Sequence, residues 1–151
     1  KPCNPLAIAR SFPHSAVMAN TIGFAPNREA IEKLATDAIR NLPAPFADHL
    51  GDIVVRVEEF ADDDILQEMG IEDPWDLTGL YQGRPLSEQS VWSTGDMPPI
   101  ISLFRMPLLN EWIESDVTLE ELVVHVLVHE VGHHFGLSDA DMEALENAVG
   151  G

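Results

Sequence analysis

The sequence predicts a single α+β domain, and three observations lead there. Helix-period patterns lie towards both ends of the chain, β-branched runs lie between them, and the strands lack the regular intervening helices that a parallel doubly wound sheet requires. A small mixed sheet packed on one central helix is the expected architecture. At 151 residues and 45% hydrophobic, the chain suits one compact domain with one core. Residues 1–25 carry Pro2, Pro5, Pro13 and Gly23 without a clean period and read as an irregular N-terminal arm, leaving residues 26–151 as the domain.

Asn27 is placed to cap a helix whose apolar residues Ile31, Leu34, Ala35, Ala38 and Ile39 recur at three and four and which ends before Pro43. Ile53, Val54, Val55 and Val57 mark a strand. A short helix over residues 62–69 stops at Gly70, a residue type that accepts the left-handed conformation at a helix end. Residues 77–93, with Gly79 and Gly83 around Leu80 and Tyr81, suggest short strands and turns. Residues 99–104 read as another strand, and Pro107 fits the first turn of a brief helix through Trp112 and Ile113.

Charge narrows the partners. Eight basic against 26 acidic residues give a formal charge of −18, which repels phosphate backbones and anionic lipid heads. Nucleic acid and membrane surfaces are therefore not expected partners. The acidity is dispersed, with Asp62-Asp63-Asp64 the longest purely acidic run, as on a solvated surface. A single cysteine, Cys3, makes no internal disulfide, so a cytoplasmic location is the default expectation. No stretch approaches the roughly 18 apolar residues of a membrane span, and Arg10, Pro13 and His14 interrupt the mildly apolar start where a signal peptide would continue.

The chemistry concentrates near the C-terminus. Thr118-Leu119-Glu120-Glu121 matches a capping box, and from 119 to 135 the helix is apolar around most of its circumference, so it must be buried on several sides. At about 100° per residue, Glu121, His125, His129, Gly132, His133 and Gly136 fall on one strip about 120° wide. His129 and His133, one turn apart, project together and are able to place two imidazole nitrogens on one Zn²⁺. Glu130, about 100° away, is poorly placed to ligate but within reach of a water on the metal, as a general base for hydrolysis requires. Gly136 lets the chain turn, so that Asp139 either returns as a third ligand, leaving a fourth position open as a catalytic zinc needs, or caps the following helix over residues 140–148.

Two further histidines differ. His125 shares the strip, but three histidines in line do not surround a tetrahedral ion, so it is either a pocket residue or a satisfied core histidine. His134 points off the strip and reads as structural. Tyr81 and Arg84 serve either in packing and turns or as donors to a developing oxyanion.

The block His129-Glu130-Val131-Gly132-His133-His134-Phe135-Gly136-Leu137-Ser138-Asp139, together with Gly79-Leu80-Tyr81-Gln82-Gly83-Arg84-Pro85-Leu86 and Ile100-Ile101-Ser102-Leu103-Phe104-Arg105, resembles the zincin metallopeptidases that carry His-Glu-x-x-His-x-x-Gly-x-x-His/Asp. It is similar in particular to the small bacterial zinc-dependent proteases called minimal zincins, over about residues 27–147. The resemblance implies a zincin-like α+β fold for residues 26–151, zinc on His129, His133 and Asp139, Glu130 as the catalytic residue, and peptides or proteins as substrates. Met142 follows Asp139 too closely to form the later Met-containing turn of metzincins, so a reduced zincin is expected. If the 100–104 strand borders the cleft, an extended peptide would add to its edge. The alternatives are a zinc hydrolase of small amides, a zinc-binding interaction module with little or no hydrolytic activity, and an acidic protein that mimics DNA towards a basic partner.

Overall fold

The computed structural model describes residues 23–150 apart from 45, 51 and 84–97. The expected N-terminal arm, Arg84 and most of the middle segment lie outside the described residues. Helix α1 spans Arg28–Arg40, and the Asn27 side chain accepts a hydrogen bond from the Ala30 N–H at 2.8 Å. Its buried face is Ile31, Ala35 and Ala38, the apolar positions of the sequence pattern. A 3₁₀ turn, Ala47–His49, leads to strand β1, Val54–Glu58, one residue later than the sequence suggests. Helix α2, Asp63–Met69, stops at Gly70 in the left-handed conformation, φ 68°. A second 3₁₀ turn, Pro74–Asp76, precedes strand β2, Gly79–Gln82. Strand β3, Ile100–Phe104, runs directly into α3, Arg105–Glu114, and then come α4, Leu119–Phe135, and α5, Asp139–Gly150.

The sheet is mixed, in the order β1-β3-β2. β3 is parallel to β1, from Val54 opposite Ile100 to Glu58 opposite Phe104, and antiparallel to β2, from Gly79 opposite Leu103 to Gln82 opposite Ile100. This corrects the expectation that β3 offers an edge to a peptide: both of its edges are taken. The reason is its composition. Ile101, Leu103 and Phe104 are fully buried, and a strand apolar on both faces is stable only where both faces are covered. Ile101 and Leu103 join α1 and α4 in the main core, while Phe104 turns to the other face with Ala61, Leu66 and Leu77. Among the described residues β2 is an outer strand.

Arg105, at the β3–α3 junction, ties distant segments together. Its Nε donates to the Pro26 carbonyl at 2.7 Å and its guanidinium meets the Glu59 carboxylate at 2.9 Å, fixing the chain entering α1 beside the end of β1.

Helix α4 has both ends defined by its own sequence. Thr118 Oγ1 accepts from the Glu121 N–H at 3.1 Å, and the Glu121 carboxylate accepts from the Thr118 N–H at 2.8 Å. At the far end Gly136 takes φ 66°, and the Leu137 N–H closes on the Gly132 carbonyl at 2.9 Å. α5 then runs back antiparallel along α4. A Cβ at Gly132 would collide with Met142 Sδ and Cγ, so a glycine inside α4 is what admits α5 this closely. The helix-breaking cost of that glycine, about 1 kcal/mol, is outweighed by burial of the Met142 side chain, roughly 1.5–3 kcal/mol.

Two outcomes follow. Gly132→Ala is expected to lower stability by about 1–3 kcal/mol through overpacking, and Gly132→Ala with Met142→Ala to lose less than the sum of the two single changes; denaturant unfolding reads both. The Glu121 carboxyl is held below its ordinary range, chiefly by the Thr118 N–H and then by the Thr118 hydroxyl. A carboxyl depressed in the folded state stabilises above its unfolded pKa and loses that effect as pH falls through the folded one. A melting-temperature gap between the parent and Glu121→Ala should therefore be open at neutral pH and close in acid.

Candidate active site

The polar strip of α4 forms the floor of a groove. β2 flanks it on one side, where a Cβ at Gly79 would come 2.6 Å from Val126 Cγ1 and 3.5 Å from Glu130 Cγ. α5 flanks it on the other through the Met142 contact and a 2.6 Å hydrogen bond between His125 Nδ1 and Glu146 Oε1. His129 and His133 are exposed on this floor, their rings meeting edge to face with centroids 5.8 Å apart. Glu130 is half-buried beside them. A cleft of about 340 Å³ is lined by Met69, Gly79, Leu80, Tyr81, Gly83, Glu130 and His133.

The backbone of β2 is oriented towards this cleft. The Phe104 N–H donates to the Thr78 carbonyl at 2.9 Å, so Thr78, Leu80 and Gln82 occupy the hydrogen-bonded positions opposite β3. Gly79 and Tyr81 then present their N–H and C=O groups away from the sheet. The Tyr81 N–H reaches the Glu130 carboxylate. Burial is the largest influence on Glu130 and pushes its carboxyl above the usual range, against the opposing pull of His133, of the Tyr81 N–H and of His129.

The other residues singled out by the sequence divide. Asp139 is exposed in the first turn of α5, and among the described residues no three His, Cys, Asp or Glu side chains are preassembled as a metal cage. Nor does Asp139 cap α5: that role falls to Ser138, whose Oγ accepts from the Asp141 N–H at 3.3 Å and donates to the Asp141 carboxylate at 2.7 Å. The preference of serine for this position and its place one residue earlier leave the Asp139 carboxylate with no capping task. His125 is not a core histidine. It is exposed, bonded to Glu146 and stacked on His129 at 6.1 Å. His134 is buried, as a structural histidine should be, with Nδ1 2.8 Å from the Tyr81 hydroxyl. Tyr81 thus spends its hydroxyl inside the protein, as its packing role predicts.

Sequence reasoning missed the part played by Gly79 and by the Tyr81 main chain. A glycine within a strand pattern is a signal of close backbone approach and could have indicated the first; the contact of Tyr81 with a helix some fifty positions away has no local signal. The donor set nevertheless fits a borderline cation: two imidazoles one helical turn apart on an exposed face, with a carboxylate held between them and the strand. A larger hollow of about 860 Å³, bordered by Glu111, Thr118, Glu121, His125 and Glu146 at the other end of α4, contains neither Glu130 nor His133.

A helix bearing His-Glu-x-x-His on the floor of a groove beside an outer strand defines a class of metal-dependent hydrolases. The chain belongs to the zincin-like metallopeptidase family, whose model matches residues 50–149 of its 151. No curated protein sequence matches it. The match covers the sheet, the groove and the whole of α4. No helix among the described residues is long and apolar enough to cross a membrane.

If Gly79 sets the distance between β2 and Glu130, Gly79→Ala should cost about 1–3 kcal/mol by overpacking, while Gly70→Asn, at a left-handed position in open space, should cost far less. Thermal unfolding of the two variants makes the comparison.

Proposed function

We propose that the protein is a zinc-dependent peptidase in which His129, His133 and Asp139 hold Zn²⁺ and Glu130 is the general base. The observation that carries this reading is the juxtaposition of Glu130 and His133 with the outward main-chain groups of β2 in one cleft, with the His129 ring edge to face on His133 beside it. When bound, zinc supplies Lewis acidity, lowering the pKa of a coordinated water towards about 7 and polarising a carbonyl.

The chain's own groups do the rest. The Gly79 N–H and C=O and the Tyr81 C=O accept an extended peptide as an added strand, which aligns its backbone with the cleft. Glu130, raised by burial towards the working range of a general base, takes a proton from the attacking water and returns it to the leaving amine. Its hydrogen bond from the Tyr81 N–H orients the carboxylate. Asp139, three residues past Gly136 and without a capping role, would supply the third ligand beside the two histidines. The minimal zincins of bacteria are the comparison that the motif suggests, and a cytoplasmic setting accords with the lone cysteine.

Elemental analysis of the purified protein should find close to one zinc per chain, lost in His129→Ala and His133→Ala and weakened in Asp139→Ala. Glu130→Gln should retain the metal while its cleavage of a quenched-fluorescence peptide library falls about 10²–10⁴-fold. Zinc bound by the parent without cleavage of any library member would mean an interaction module in place of a peptidase. Failure to take up zinc after reconstitution would overturn both readings.

A further inference from the structure

On the face of β2 that meets α4, positions 79 and 81 are Gly and Tyr, and Gly83 follows directly after the strand. A Cβ at Gly79 would sit 2.6 Å from Val126 Cγ1, and one at Gly83 would sit 2.8 Å from the Tyr81 hydroxyl oxygen. The strand therefore lies close against the helix, with Tyr81 supplying the side-chain contact between two glycines. Tyr81 touches α4 at points one turn apart. Its N–H meets Glu130, and its hydroxyl lies 2.8 Å from His134 Nδ1, with the two rings edge to face at 5.5 Å. His134 is 2% exposed, and Phe135 packs on it with ring centroids 5.2 Å apart. A buried imidazole is costly unless its nitrogens find partners, so this bond with the half-buried phenol is favoured in the folded state.

We propose that Tyr81 and His134 are positioning residues: the hydrogen bond between their side chains holds β2 in the one placement against α4 in which the Tyr81 N–H meets the Glu130 carboxylate. The inference deepens the peptidase reading and rests on it for the role of Glu130. In its absence the strand could slide or tilt by a fraction of an ångström, since glycines at 79 and 83 offer no side chain to stop it. The carboxylate would then lose its orienting donor while His129 and His133, held by α4 itself, stayed in place.

Amide hydrogen exchange of the full chain, with and without added Zn²⁺, tests this separately from activity. In Tyr81→Phe and His134→Leu the residue 81 amide should exchange about tenfold faster than in the parent. The Leu80 and Gln82 amides, bonded to β3, should keep their protection. His134→Asn, whose side-chain amide stands near the place of Nδ1, should restore most of the slow exchange. In zinc-loaded protein the two faster-exchanging variants should lose kcat at unchanged KM on a quenched-fluorescence peptide that the parent cleaves, with zinc content unaltered. Unchanged exchange at residue 81 would overturn the proposal, as would equal loss of protection at Leu80 and Gln82, which marks general loosening, or faster exchange with kcat intact. A parent that takes up zinc but cleaves no peptide would count against the peptidase reading, and the exchange data would then decide the role of the pair alone.

Discussion

The structure depends on burying α4. Leu122, Val123, Val126, Leu127, Val128 and Val131 are all buried, and each such side chain contributes about 1.5–3 kcal/mol when removed from water. A helix apolar over so much of its circumference has to be covered by several elements at once. Here α1, the sheet and α5 provide that cover. What they leave uncovered includes a narrow strip that carries Glu121, His125, His129 and His133. Exposed histidines hold no orientation of their own. Theirs comes from a helix that cannot rotate without exposing its valines and leucines.

The groove above that strip is shaped by side chains that are missing. Gly79 brings β2 against Val126 and Glu130, and Gly132 brings Met142 of α5 against the opposite flank. Each glycine weakens its own element, by about 0.5–1 kcal/mol relative to alanine. The tertiary contact outweighs that loss in both cases, because a methyl group at either position would force the neighbouring element away. The result is a helix surface narrowed from both sides. Glu130, at the foot of the β2 wall, becomes half-buried as a consequence, and its position is a compromise. Burial opposes its charge, while His133, the Tyr81 N–H and His129 favour it. Burial prevails, and the carboxyl sits above its usual range.

Much of this was legible in the residues. Asn27, Thr118 with Glu121, Gly70 and Gly136 mark helix ends by chemistry that operates within four positions, and the structure uses each of them at that place. The common face of His129 and His133 was equally legible, because helical periodicity alone places residues one turn apart on one side. Asp139 shows where such local reasoning ends. Its position after a turn suits a cap or a ligand equally well, and only the bond between Ser138 and Asp141 removes the first role.

The sequence by itself therefore determined the elements, their ends and the chemical face of α4, since these follow from interactions between near neighbours. Only the tertiary structure decided that β3 lies between β1 and β2, that the outward backbone of Gly79 and Tyr81 faces the cleft, and that Tyr81 meets both Glu130 and His134. Strand order and contacts across some fifty positions depend on which surfaces bury one another best. No local pattern encodes that competition, and it is settled only when the whole core is packed.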